Sequence, residues 1–165
     1  EAARIRRLTL RILNVRYLSR IKRARMLASI PSINPAGGAA VAGCFCFRSY
    51  PTAEFHLGVD LDANYGDVVR ASAAGTVSTS DYDGEFGLKI DIDHHNGYHT
   101  WYAHLSRADV HPGEAVLKGQ PIALVGSSGR STGPHLHYQI MHNGQPVDPQ
   151  PFLKGFPPQV LTSLP

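Results

Sequence analysis

Gly87-Leu88-Lys89-Ile90-Asp91-Ile92-Asp93-His94 leads through His95-Asn96-Gly97 into Tyr98-His99-Thr100-Trp101-Tyr102-Ala103-His104. In the first arm Leu88, Ile90 and Ile92 alternate with Lys89, Asp91 and Asp93, the pattern of a half-buried antiparallel strand. Asn-Gly then supplies the two residues that most readily turn a hairpin. The second arm is the returning strand, with His104 near its far end. His94, His95 and His99 flank the turn. The pair His95 and His99 has ligand spacing, but exposed hairpin side chains are expected at all three positions.

The same pattern continues on both sides of the hairpin. Val68-Val69-Arg70-Ala71 and Gly75-Thr76-Val77-Ser78 are short and β-branched, with Gly66 and Gly75 at turns. Pro112-Gly113, Lys118-Gly119 and Asn143-Gly144 punctuate the later strands, and His111 and His142 beside such turns read as surface residues. No helical periodicity appears after residue 30. The expected fold is therefore all-β and antiparallel, preceded by one helix. At 165 residues the chain is long enough for one domain with an appendage, and the 16 Gly and 12 Pro suit many turns.

The appendage is the helix, expected over residues 4–28. Ile5, Leu8, Ile12 and Val15 recur at three-four spacing, and Leu10, Leu13, Tyr17 and Ile21 read as a neighbouring row. Residues 1–30 carry nine Lys/Arg against one acid, leaving seven basic and twelve acidic residues for the rest. The basic balance thus belongs to the helix, and no nucleic-acid partner is expected of the core. A basic amphipathic helix could pack on a coiled-coil partner, lie on anionic lipid, or act as an Arg-rich targeting segment. No apolar run is long enough to span a membrane. The first residue is Glu1, so a fragment or processed product is expected, with any signal peptide or anchor outside it.

Residues 29–43 turn to Pro, Gly, Ser and Ala, a linker or an extended lead-in strand. Cys44-Phe45-Cys46-Phe47-Arg48 reads as a short strand with both cysteines on one face. Two small apolar side chains packed in the core is the preferred reading, ahead of a thiol pair or a soft metal site. Two cysteines are too few for a disulfide scaffold or a zinc finger.

Three fragments carry chemistry: His56-Leu57-Gly58-Val59-Asp60, Tyr102-Ala103-His104-Leu105, and Gly126-Ser127-Ser128-Gly129-Arg130-Ser131-Thr132-Gly133-Pro134-His135-Leu136-His137. On a strand, residues two or four apart share a face, so His135 pairs with His137, and His56 with Asp60. A catalytic zinc takes three protein ligands and keeps one position open. The candidates are His56, Asp60 and one histidine of the His135/His137 pair. The glycine-rich run lacks the lysine and following helix of a phosphate loop, and is expected to form a tight wall of the cleft.

With these fragments in this order, the chain resembles the M23 family of zinc metallopeptidases, the lysostaphin-type or LytM domain of cell-wall hydrolases. The matching residues are Phe55–Leu61, Trp101–Leu105, Gly126–Tyr138 and Val147-Asp148-Pro149. Secondary matches lie at Gly66–Val69, Gly75–Val77 and Gly113–Gln120, and the resemblance spans about residues 30–153. It implies Zn2+ held by His56, Asp60 and His137, with His104 and His135 as unligated catalytic histidines. One departure is visible: Cys46 stands where the family usually has glycine, which leaves open a Cys44–Cys46 bond or a thiol near the cleft.

The function implied is zinc-dependent hydrolysis of peptide crosslinks in bacterial peptidoglycan, outside the cytoplasm, in the periplasm or extracellular space. Two alternatives are a non-hydrolytic module that activates or recruits another wall hydrolase, and a closed structural zinc site with His135 as fourth ligand. The domains expected are residues 1–30 as a tether or coiled-coil lead-in, 31–155 as the peptidase domain, and 156–165 as a C-terminal tail.

Overall fold

Helix α1 (Ala2–Ala28) leads into twelve short strands, β1 (Val41–Gly43), β2 (Phe47–Arg48), β3 (Glu54–Phe55), β4 (Val59–Leu61), β5 (Val68–Arg70), β6 (Gly75–Tyr82), β7 (Leu88–Asp93), β8 (Tyr98–Ala108), β9 (Ala115–Val116), β10 (Pro121–Val125), β11 (Leu136–His142) and β12 (Gln145–Val147). This is a computed structural model, and it describes residues 2–49 and 53–156, with side chains from residue 6. The tail expected beyond Phe156, and the side chains of Arg4 and Ile5, lie outside the described residues.

Ten strands form one antiparallel sheet whose spine runs β1-β4-β11-β8-β7-β6-β9, with β10 joining β8 to β5 and β12 alongside β11. Strands β2 and β3 pair separately. The β7–β8 hairpin forms at Asn96-Gly97 as the alternation requires, with His95 and Gly97 both at positive φ. Alternation on the central strands sends Tyr138 and Ile140 of β11, Tyr102 of β8 and Ile90 and Ile92 of β7 into a common core, completely buried. The opposite face of β11 carries His137, Gln139 and Met141.

A chain of polar groups crosses this core. Ala74 O accepts from His94 Nδ1 at 2.8 Å, and His94 Nε2 lies 2.9 Å from Thr100 Oγ1. Thr100 Oγ1 also lies 2.9 Å from Tyr102 Oη, which lies 3.0 Å from Ser72 Oγ, and Tyr138 Oη donates to Ser72 Oγ at 2.7 Å. His94 is therefore a correction to the sequence reading. It is 1% exposed rather than a surface hairpin residue, because both ring nitrogens find partners inside. His95 is exposed as expected, and His99 is half-buried, with Nδ1 3.0 Å from Asp91 Oδ1.

Burial lowers the His94 pKa from 6.5 to about 4, with the Ala74 carbonyl, His99, Asp93 and His95 as smaller influences. Above pH 6.5 the ring is neutral in both folded and unfolded chains, and its contribution is complete. As the pH falls toward 4, the unfolded chain takes up a proton that the folded chain refuses. About 2–3 kcal/mol of stability should be lost between pH 7 and 4.5 through this one group. Urea unfolding at both values should show a shallower loss for His94→Asn, and equal slopes would remove the argument.

Helix α1 is held to the domain near its C-terminal end. Lys118 Nζ donates to Leu27 O at 2.8 Å, Ala74 N to Ala28 O at 2.8 Å and Asn96 Nδ2 to Ser29 O at 2.9 Å. Residues 6–20 are exposed throughout. At roughly 100° per residue, Leu8, Ile12 and Val15 fall on the opposite side of the axis from Leu10, Leu13 and Tyr17. Arg7 and Arg11 fill one gap and Arg16 and Arg20 the other. The two apolar rows are not neighbours, so the helix has two narrow stripes instead of a single apolar face. No helix among the described residues is long and apolar enough to cross a membrane.

The second correction concerns the cysteines. Cys44 and Cys46 form a disulfide, and Cys44 is exposed. Only Phe47 and Arg48 of that stretch are strand; residues 45 and 46 bend, which brings the two sulfurs together across Phe45. Phe45, not the cysteines, packs against the core.

Candidate active site

Strands β4 and β11 lie side by side with Asp60 directly opposite His137, so both side chains project from one face of the sheet. His56 comes from the turn after β3 rather than from a continuous strand, and Gly58 makes the turn possible. A Cβ on Gly58 would lie 2.6 Å from Tyr138 O and 2.8 Å from His137 Cε1. Only glycine lets the backbone pass this close to the His137 ring.

The three side chains converge. His56 Nε2 is 3.0 Å from His137 Nδ1 and 3.3 Å from Asp60 Oδ1, and His137 Nδ1 is 3.1 Å from Asp60 Oδ1. Among the described residues this is the one His/Cys/Asp/Glu cluster with metal-ligand spacing. Two ligands on a tetrahedral zinc at about 2.0–2.1 Å stand about 3.3 Å apart, close to the distances here. The protonation pattern fits too. His56 Nδ1 is 2.8 Å from Cys44 O, and a carbonyl only accepts, so the proton sits on Nδ1 and the Nε2 lone pair faces the cluster. Two ring nitrogens and a carboxylate oxygen thus point at one place, a donor set suited to zinc.

Strict alternation would send His104 into the core beside Tyr102. A β-bulge prevents this: Ile90 pairs with Tyr102 but Leu88 with Leu105, so β8 spends one residue more than β7. His104 sits in the bulge at φ 60° and turns to the cleft, while Leu105 returns to the core. The strand continues to Ala108, so His104 is not near its end as the sequence suggested. His104 Nδ1 donates to Ser128 O at 2.8 Å and His135 Nδ1 to Gly133 O at 2.9 Å. Both rings therefore keep Nε2 free, and their centroids are 4.7 Å apart. His135 Nε2 lies 3.7 Å from Asp60 Oδ1, beyond the spacing of the three clustered donors.

Burial works to raise the Asp60 carboxyl, but the close contacts with the His137 and His56 rings and with the Arg48 guanidinium outweigh it and hold the group well below the usual carboxylate range. Burial lowers His137 despite Asp60. Burial also brings His104 down to about 4; the Ser128 carbonyl opposes this, and His135 and His137 add to it.

All five residues border one cleft of about 470 Å³. The glycine-rich run forms a wall through Gly129, Arg130 and Ser131, and Arg130 joins Glu54 at 2.5 Å and Glu85 at 3.3 Å across its rim. Several participants were not singled out from sequence. Arg48 Nη2 donates to Asp60 Oδ2 at 2.6 Å, and buried Gln139 borders the cleft with Oε1 unpartnered. Arg48 lies in the motif around Cys46, which was its only signal.

Residues 54–149 match the model of peptidase family M23. The chain belongs to peptidase family M23. The chain is 43% identical over 121 residues to the DD-carboxypeptidase/endopeptidase Mpg of Neisseria meningitidis, covering 72% of this chain and 28% of that protein. It is 42% identical over 95 residues to the peptidoglycan DD-endopeptidase ShyC of Vibrio cholerae, covering 58% and 22%. A zinc-containing peptidase from Vibrio cholerae superposes with a TM-score of 0.65 at 31% identity, over 74% of this chain and 38% of that one. The chain thus spans only 28% and 22% of the lengths of Mpg and ShyC.

Proposed function

We propose that this chain is a zinc-dependent endopeptidase that hydrolyses peptide crosslinks of bacterial peptidoglycan. The observation that carries this reading is the convergence of His56, Asp60 and His137 donors in a cleft that also holds two unligated histidines. His56 Nε2, Asp60 Oδ1 and His137 Nδ1 would hold zinc, which when bound polarises the scissile carbonyl and activates water. Asp60, held as a carboxylate by its three partners, would offset part of the metal's charge.

His104 and His135, each anchored through Nδ1, turn Nε2 toward the cleft. One would accept the proton of the attacking water, and the other, once protonated, would stabilise the oxyanion or protonate the leaving amine. His135 lies outside the three-donor cluster, which favours an open catalytic site over a closed structural one. The substrate class follows from the relatives. A disulfide among the described residues favours an oxidising compartment outside the cytoplasm.

Digestion of purified peptidoglycan tests the reading. The zinc-loaded protein should release new peptide termini, identified by mass, and the chelated protein should release none, with activity restored on adding zinc. Folded, zinc-loaded protein that leaves peptidoglycan uncut would replace this reading with that of a non-hydrolytic module.

A further inference from the structure

The turn that carries the disulfide touches two of the three clustered side chains. Cys44 O accepts the Nδ1 proton of His56, and Cys46 O accepts the backbone N–H of His56, both at 2.8 Å. Gly43, just before the pair, packs against Asp60, where a Cβ would lie 2.5 Å from Oδ2. Arg48, just after it, donates to the same Oδ2 at 2.6 Å. The disulfide therefore closes a two-residue step whose two carbonyls both hold one histidine, Cys44 O at the ring and Cys46 O at the backbone amide.

We propose that the Cys44–Cys46 disulfide is a positioning element of the metal site, acting through His56. The inference rests on the reading of His56 as a zinc ligand. The Cys44 carbonyl fixes the proton on Nδ1 and so aims the Nε2 lone pair into the cleft. An open Cys-Phe-Cys segment has free backbone torsions on both sides of Phe45, and its carbonyls sample many directions. Cross-linking removes most of that freedom before zinc arrives, so less ordering remains to be done on binding. Phe45 meets Phe55 edge-on with centroids 5.0 Å apart, which anchors the tip of the turn through its side chain and not through the flanking carbonyls.

The experiment compares zinc affinity, by competition with a chromophoric chelator, for the oxidised wild type and the Cys44→Ser/Cys46→Ser variant. Serine is used because a freed thiol would itself bind zinc. The dissociation constant should rise about 10- to 100-fold, the usual cost of losing an outer partner of a metal-bound histidine. Imidazole 15N shifts of the zinc-free proteins supply a second readout. His56 should be a single Nδ1–H tautomer in the wild type and a tautomer mixture in the variant.

Should the variant not fold, wild-type protein reduced with a phosphine and capped with iodoacetamide takes its place. The phosphine gives up two electrons to the sulfurs and takes oxygen from water, whose protons leave two thiols. An unchanged affinity with an unchanged His56 tautomer would overturn the proposal, as would free thiols in wild-type protein purified without reductant. Oxidised wild type that binds no zinc would instead overturn the reading of His56 as a ligand.

Discussion

Replacing His137 with alanine should abolish both zinc binding and peptide cleavage. His137 Nδ1 stands 3.0 Å from His56 Nε2 and 3.1 Å from Asp60 Oδ1, so its loss leaves two donors where a catalytic zinc requires three. The side chain is 5% exposed, and its removal also opens a cavity beside Gly58. The two effects separate when stability is measured with and without metal, because the cavity costs the same in both. At zinc concentrations about a thousandfold above its dissociation constant, the wild type should gain about 4 kcal/mol from the metal. The variant should gain almost nothing. Thermal unfolding of zinc-loaded and chelated samples reads this directly. A variant stabilised by zinc as strongly as the wild type would show that the metal binds elsewhere.

The reason this side chain matters was only partly visible in the sequence. The period-two pattern of residues 87–104, with Asn96-Gly97 between its arms, marked the central hairpin and hence the antiparallel fold. Alternation also paired His135 with His137; it paired His56 with Asp60 too, although His56 lies in the turn between β3 and β4 and not on a continuous strand. Local pattern cannot show that residues 60 and 137, far apart in the chain, lie opposite each other on adjacent strands. That pairing depends on the order of strands in the sheet, and the family resemblance supplied what spacing could not.

Where the local reading failed, a contact distant in sequence had overridden it. His94 looked like a turn residue because its partners, Ala74 O and Thr100 Oγ1, belong to a buried network that has no sequence signature. Cys44 and Cys46 would share a face on a strand, but the chain bends at Phe45, and the bend rather than the strand brings the sulfurs together. The two apolar rows of α1 are correct as spacings, yet summing the rotation along the helix puts them on opposite sides. The bulge on β8 was hidden for a related reason. A bulge is a mismatch between two strands, and no single strand displays it.

That bulge sets up the second large effect, at His104. Alanine there should lower turnover about 10²- to 10⁴-fold, the range for loss of a positioned general acid or base, while zinc affinity stays within a few-fold. His104 lies outside the three-donor cluster, so a metal held by those three donors would not depend on it. Burial, with His135 and His137 nearby, brings its pKa to about 4, and the ring is unprotonated throughout the neutral range. The Ser128 carbonyl holds the Nδ1 proton, so the lone pair of Nε2 is the one offered to the cleft. The backbone is at φ 60°, a conformation alanine tolerates less well than asparagine. His104→Asn is therefore the matched control, since it keeps the bulge without supplying a base of comparable strength. If both variants bind zinc and neither turns over substrate, the loss belongs to the imidazole and not to a collapsed bulge. Full activity in His104→Asn would remove His104 from the chemistry and leave His135 as the one unligated histidine of this cleft able to move the proton.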